Sequence, residues 1–477
     1  MAKQIITEPG RTFSEFALLP GYTRKECTIP NIDLSANLAG LKLKIPLISS
    51  AMTSVTGYEM ALALGKEGGL GVLPVRLSVE EAVRIVKKIK NYEMGFVEEP
   101  IKVRETAAIE TALREIKRHG HSKIPVVDKN NVFLGMFTQA HYWETNADLA
   151  DPVSSNMLLP SQVPCCEKPD ITVEQAKKLL SSMNANYLVV LDDLGRLVKV
   201  AFSKDIEKLK IAVAISTYEG WKERVNAVVK AVADLVVIDT SDAYNEFTGE
   251  VLKEYKSMKL KVPICVGNVV TYEGALFLMK AGADMIKIGM SSGSICTTQR
   301  EKAVGRAPMT ALIEAARARK DFYIKTKRYV PLVMDGGVAT AADMVIALTL
   351  ANAVMMGGYF NKFYEAEAEK FDEKGKETRI ESEMRKVATW GEGSERAQNL
   401  ARYGKSKKTF FEEGVEGTVP YAGRLKPTLK KDLMKIKAAL SNVGVHTLEE
   451  FRQNAVIELI SPHSSDIISK PHGVREK

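Results

Sequence analysis

Short apolar runs rich in β-branched residues recur along the chain, each followed by a polar turn and then by a stretch with apolar positions three and four apart. That alternation of period-2 and period-3.6 patterning is the signature of β and α units feeding a parallel sheet. Outside one internal block the pattern predicts eight strands: Pro46–Ser50, Gly69–Leu73, Ala212–Ser216, Leu235–Asp239, Pro263–Gly267, Met285–Gly289, Val330–Asp335 and Ala353–Gly357. Amphipathic stretches lie between them, among them Gly57–Lys66, Trp221–Val232, Tyr272–Ala281, Pro308–Arg319 and Ala341–Leu350. Eight βα units predict an α/β fold, a closed (β/α)8 TIM barrel whose strand C-termini carry the site. A doubly wound open sheet is the alternative, but no GxGxxG follows the first strand.

The internal block, 96–210, divides the barrel into a first part, 1–95, and a second part, 211–477, and it carries its own repeat. Ile124-Pro-Val-Val-Asp-Lys-Asn-Asn-Val-Phe-Leu-Gly-Met-Phe-Thr and Tyr187-Leu-Val-Val-Leu-Asp-Asp-Leu-Gly-Arg-Leu-Val-Lys-Val-Ala-Phe-Ser both read as strand, acidic turn, strand. Each follows an amphipathic helix, Ala107–His119 in one copy and Thr172–Asn184 in the other. The pair resembles a tandem CBS (Bateman) module. That resemblance implies ATP or GTP binding through Ser203 and Asp205, with a purely structural insertion as the competing reading.

Composition narrows the function. With 45% hydrophobic and 26% charged residues the chain matches an ordinary globular protein of two or three domains. Sixty-seven Lys and Arg against 59 Asp and Glu give a net charge of +8 with no basic block, so nucleic acid is not the expected main partner. The five cysteines, Cys27, Cys165, Cys166, Cys265 and Cys296, show neither CxxC spacing nor a nearby His cluster, which favours a reducing cytoplasm over a disulfide framework or a zinc site. No apolar run approaches the ~20 residues that span a bilayer.

The candidate chemistry centres on Lys287-Ile-Gly-Met-Ser-Ser-Gly-Ser-Ile-Cys-Thr-Thr-Gln, a glycine- and serine-rich loop following a predicted strand. Cys27 and Cys265 read as small core hydrophobes. Cys296 stands among hydroxyls and reads as a nucleophile. Asp335-Gly-Gly337 and Met356-Gly-Gly358 end the last two predicted strands, where barrels often hold phosphate on backbone amides, although tight βα turns needing positive φ would give the same pattern. Asp239, followed by Thr240-Ser241-Asp242, is either a ligand carboxylate or a helix cap.

The Gly-Ser-Ile-Cys-Thr-Thr segment is similar to the catalytic loop of the IMP dehydrogenase/GMP reductase family. The segments from Ser49 to Thr56, Gly267-Asn-Val-Val-Thr, Asp335-Gly-Gly, Met356-Gly-Gly and Glu413-Gly-Val-Glu-Gly-Thr-Val-Pro resemble family motifs in family order. The resemblance implies that Cys296 bonds purine C2. It further implies that Ser294, Gly337 and Gly358 cradle the 5′-phosphate, helped by Gly293 and Gly357. Asp335 would accept from the ribose hydroxyls. Ser50, Met52, Gly391, Glu392, Gly393 and Glu413 would meet the substrate, whereas Asp239, Ser241 and Asn268 would face NAD. Thr389 stands where family members carry a phosphate-contacting Tyr.

Two activities share that machinery. In the dehydrogenase reading Cys296 attacks IMP, hydride passes to NAD+, Arg402 activates water with Thr298 orienting it and Tyr403 supporting the arginine, and XMP leaves. In the reductase reading Cys296 attacks C2 of GMP, ammonia leaves, NADPH donates hydride, and Glu365 with Thr298 handles protons. The Arg402-Tyr403 pair, lying between Trp390-Gly-Glu-Gly-Ser and Glu412-Glu-Gly-Val-Glu-Gly, favours the dehydrogenase. A barrel retained only as a nucleotide sensor is the non-enzymatic alternative. A monovalent cation, K+, would sit on the Gly293 and Cys296 carbonyls, with Ser291 in place of a common loop glycine leaving that open. The resemblance also implies a homotetramer or octamer in the cytoplasm.

Overall fold

In the computed structural model, described here for residues 4–461 apart from 91, 95, 99, 120–121, 146, 204–206, 292, 294, 296 and 400–411, the chain divides into two compact units. One comprises Met1–Lys90 with Lys210–Lys477 and the other Asn91–Leu209.

The first unit is a closed barrel of eight parallel strands. In chain order these are β1 (Leu47–Ser49), β2 (Leu70–Leu73), β3 (Ile211–Ile215), β4 (Leu235–Asp239), β5 (Ile264–Val269), β6 (Met285–Ile288), β7 (Leu332–Asp335) and β8 (Ala353–Met356). Closure runs through β8 and β1, with Val354 opposite Leu47 and Met356 opposite Ser49, which removes the open-sheet alternative. Alternate residues face inward. Ile48, Val72, Ala214, Val237, Cys265, Met285, Val333 and Met355 fill the barrel, and Leu38, Leu41 and Leu43 from the Ala36–Leu38 and Leu41–Leu43 hairpin join that cluster. The intervening residues, such as Val236, Ile238, Ile286, Ile288 and Met334, pack with Leu252, Leu278, Leu312 and Met344 of the surrounding helices. Burial pushes the Cys265 thiol up to about 12, as befits a core hydrophobe.

The helices start where local chemistry caps them. Asn245, Thr271 and Thr340 accept from the backbone N–H three residues on, and Thr340 is answered by Asp343 in a capping box. The helix expected at Pro308–Arg319 runs to Thr326 and ends at Lys327 in the left-handed region. Among the described residues no helix is long and apolar enough to cross a membrane.

The second unit contains two similar halves. One pairs the helix Ile109–His119 with the hairpin Lys123–Val127 and Phe133–Thr138; the other pairs Val173–Ser182 with Tyr187–Leu191 and Leu197–Phe202. They meet through reciprocal backbone bonds, Phe133 N–H to Gly195 O and Leu197 N–H to Asn131 O.

Candidate active site

Four consecutive strands deliver polar side chains to one point at the C-terminal end of the barrel. Lys287 lies between Ile286 and Ile288, which face the helices, so its side chain turns inward and is 1% exposed. Its Nζ donates to Asp239 Oδ1 at 2.9 Å, to Asp335 Oδ2 at 2.7 Å and to Asn268 Oδ1. Asn268 Nδ2 in turn donates to Asp335 Oδ2 at 3.2 Å. Burial alone would push the ammonium down, but the Asp239 and Asp335 carboxylates outweigh it and hold Lys287 above its ordinary value. Gly267 is required beside it: a Cβ there would stand 2.4 Å from Lys287 O.

The structure thus brings together Asp239 and Asn268, expected at the dinucleotide, with Asp335, expected at the ribose. Asp239 is not a helix cap, because Asn245 takes that place for Glu246–Ser257. Ser241 is exposed just beyond Asp239. Sequence reasoning missed Lys287 as a site residue, although a lysine within the apolar run Met285–Ile288 was the available signal.

The loop after β6 opens with Gly289 at φ 138° and Ser291 at φ 60°, so Ser291 sits in the left-handed region that favours glycine. Cys296 and Ser294 lie outside the described residues, as do Arg402, Tyr403 and Asp205. The positions flanking Cys296 are described. Val415 N–H donates to Ile295 O at 3.1 Å and Thr297 N–H to Glu413 O at 3.1 Å. Thr298, 5% exposed, donates from Oγ1 to Glu413 Oε2 at 3.0 Å, while Lys302 Nζ meets Glu413 Oε1 at 2.9 Å. Gly391 packs so closely that a Cβ would lie 3.2 Å from both Ile295 O and Gly414 Cα, and one on Gly393 would meet Glu413 at 3.0 Å. The cysteine loop, the 391–393 turn and Glu413 therefore form one assembly.

Glu392 directs its carboxylate to Thr53 and Arg76. Its Oε1 accepts from Thr53 N–H at 2.7 Å and Thr53 Oγ1 at 2.8 Å, and Oε2 lies 2.9 Å from Arg76 Nε.

The two glycine pairs differ in kind. Gly336 and Gly337 have φ of 80° and 74°, so that turn requires glycine conformationally. At Gly357 the requirement is steric, since a Cβ would lie 2.7 Å from Met52 Sδ and 3.0 Å from Ser50 Oγ. The Ser50 hydroxyl is buried and has no hydrogen-bond partner among the described residues, so it remains available to a ligand. Gly358 is exposed and Gly293 half-buried. Thr389 is buried and accepts from Asn361 Nδ2 at 2.8 Å. Glu365, also buried, accepts from Leu425 N–H at 3.0 Å at the start of Leu425–Val443. Ser203 is exposed in the second unit.

Polar groups gathered at the strand C-termini, beside a glycine-rich loop and two glycine turns, define a barrel enzyme with a site suited to a nucleotide. Residues 10–472 match the model of the IMP dehydrogenase / GMP reductase domain, and the chain belongs to that family of purine nucleotide oxidoreductases. It is 34% identical to inosine-5′-monophosphate dehydrogenase of Tritrichomonas foetus over 486 residues, covering 95% of this chain and 94% of the relative. It is 30% identical to the enzyme of that name from Methanocaldococcus jannaschii, covering 99% and 97%. Among solved structures, a GMP reductase variant from Trypanosoma brucei in complex with guanosine 5′-monophosphate is similar in fold, with a TM-score of 0.70, 22% identity and 98% of each chain covered.

Proposed function

We propose that this chain oxidises IMP to XMP with NAD+. Cys296, as thiolate, attacks C2 of IMP, and the C2 hydrogen leaves as hydride to bound NAD+, the acceptor. Water activated by Arg402 then adds to the thioimidate carbon, and C–S cleavage returns the thiolate and releases XMP. NADH and one proton complete the balance. Thr298 orients the water and Tyr403 supports Arg402. Ser294, Gly337 and Gly358 hold the phosphate, Asp335 the ribose, and the 391–393 turn with Glu413 the base.

The observation that carries this reading is the Thr298–Glu413 contact beside position 296, because it seats the water-orienting hydroxyl against the carboxylate assigned to the purine. Asp239, Ser241 and Asn268 suit the hydroxyls and carboxamide of NAD, since a carboxylate, a hydroxyl and an amide supply both donors and acceptors. Two points favour the dehydrogenase over the reductase. The full-length relatives at 29–34% identity bear the dehydrogenase name. Glu365, the residue the reductase would use for protons, spends one carboxylate oxygen on a helix N-terminus. Within the same reading, 96–210 is a tandem CBS module taking ATP or GTP through Ser203 and Asp205. The Gly293 and Cys296 carbonyls would hold a K+ ion, which would steady the cysteine loop, and the cytoplasmic enzyme is a tetramer or octamer. Absorbance at 340 nm tests the reaction: IMP with NAD+ should produce NADH, whereas oxidation of NADPH only in the presence of GMP would replace it with the reductase.

A further inference from the structure

Arg76 is the most deeply buried arginine to meet a carboxylate in the barrel unit's described salt bridges, with 1% of its side chain exposed. It follows β2 in a loop that is itself pinned, because Arg224 donates from Nη2 to Pro74 O at 2.8 Å, from Nη1 to Leu77 O and from Nε to Ala214 O at 2.9 Å. From that loop the Arg76 guanidinium reaches Glu392 twice: Nε lies 2.9 Å from Oε2, and Nη2 donates to the Glu392 carbonyl. The guanidinium thus pairs with the carboxylate as an ion pair through Nε and hydrogen-bonds the neighbouring main-chain carbonyl through Nη2, a two-point contact that a planar guanidinium suits. The other carboxylate oxygen holds Thr53, whose Oγ1 also accepts from Trp390 Nε1 at 2.8 Å.

We propose that Arg76 is a positioning residue for the substrate base: it locks the 391–393 turn and the Ser50–Thr53 loop into one frame, so that the purine meets the Glu392 backbone and not its carboxylate. The inference rests on the purine-nucleotide reading above. Both segments carry residues assigned to the substrate, and Glu392 joins them while being anchored from a third loop. With the guanidinium removed, Glu392 would keep its mostly buried charge without a counter-ion, and the turn would shift to rehydrate it.

Isothermal calorimetry with IMP, and steady-state kinetics with IMP and NAD+, test the assignment. Arg76→Met should weaken IMP binding and raise its KM about 10- to 100-fold, the scale of misplacing a binding group by about 1 Å, with the KM for NAD+ and kcat changed less than about threefold. Glu392→Gln should show the same selective loss, and the double variant should be no worse than Arg76→Met, because the two residues act as a unit. Arg76→Lys should lie between wild type and Arg76→Met, and it carries the test if Arg76→Met does not fold. Loss of kcat and both KM values in equal proportion, IMP affinity within twofold of wild type, or additive single effects would each overturn the proposal. Failure of wild type to bind IMP would instead overturn the purine reading itself.

Discussion

Replacing Lys287 with Met keeps the length of the side chain and removes the charge on which Asp239, Asp335 and Asn268 converge. At an effective dielectric constant of about 20, unit charges separated by 2.9 or 2.7 Å attract by about 6 kcal/mol per pair before desolvation. Burying the ammonium takes back several kcal/mol, and breaking a buried pair by deleting one partner costs about 3–5 kcal/mol. The Asp239 and Asp335 side chains are 20% and 18% exposed, so water offsets part of that, and the expected loss is about 3 kcal/mol. In a barrel of this size the loss should lower the calorimetric transition by roughly 3–6 °C. Adding Asp239→Asn removes one of the two abandoned charges and should recover part of the drop. The pH dependence has a fixed sign. Lys287 is held above its unfolded value of about 10.4, so its stabilisation is complete below that pH and is lost as pH rises through the higher folded value. The gap between wild type and Lys287→Met should therefore stay constant from about pH 6 to 9 and narrow only above about pH 10. A shift below about 1 °C, a more severe double variant, or a gap that closes near neutrality would refute the reasoning.

Cys296→Ala should abolish turnover while retaining IMP binding, and residual activity above roughly a thousandth of wild type would exclude covalent catalysis. Arg402→Ala should leave the first-turnover NADH burst near normal in stopped flow yet slow the steady state severely; equal loss of both phases would place Arg402 at or before hydride transfer. Calorimetry with ATP and GTP on a Phe96–Lys210 deletion should show no triphosphate heat while IMP still binds, and surviving ATP binding would move that site out of the insertion.

The barrel was legible because its strands are buried on both faces and so read as short continuous apolar runs, which lie within one or two residues of the observed elements at either end. The errors have local causes. The strand expected to stop at Gly267 continues to Val269 through an irregular register, with Val269 opposite Ile288, because Gly-Asn is a turn signal in a sequence yet here carries the strand past Lys287. The helix from Pro308 outran its expected end because no glycine or proline follows Arg319 before Lys327. Phe16–Leu19 pairing with Val456–Leu459, and Lys386–Trp390 pairing with Glu416–Pro420, join segments whose partners no local window contains.

The site divides the same way, and the division follows from what a sequence can encode locally. Asp239, Asp335 and the glycine turns announce themselves because each ends a strand, and in a parallel barrel a strand end is a site position whatever the partner. Lys287 and Arg76 gain their meaning only from closure of the fold. One sits mid-strand where an aliphatic residue would satisfy the pattern, and the other reaches a carboxylate 316 positions away. Glu392 shows the consequence. Its place in the 391–393 turn was readable and so was the expectation that the turn meets the base, but the direction of its carboxylate was not, because Thr53 and Arg76 come from two other loops. A charge placed in a semi-buried turn must find its counter-charge. In this barrel that counter-charge stands on a loop pinned by Arg224, whose guanidinium donates to backbone carbonyls in the bonds described, so the orientation of the 391–393 turn is set as much by an anchored backbone as by its own residues.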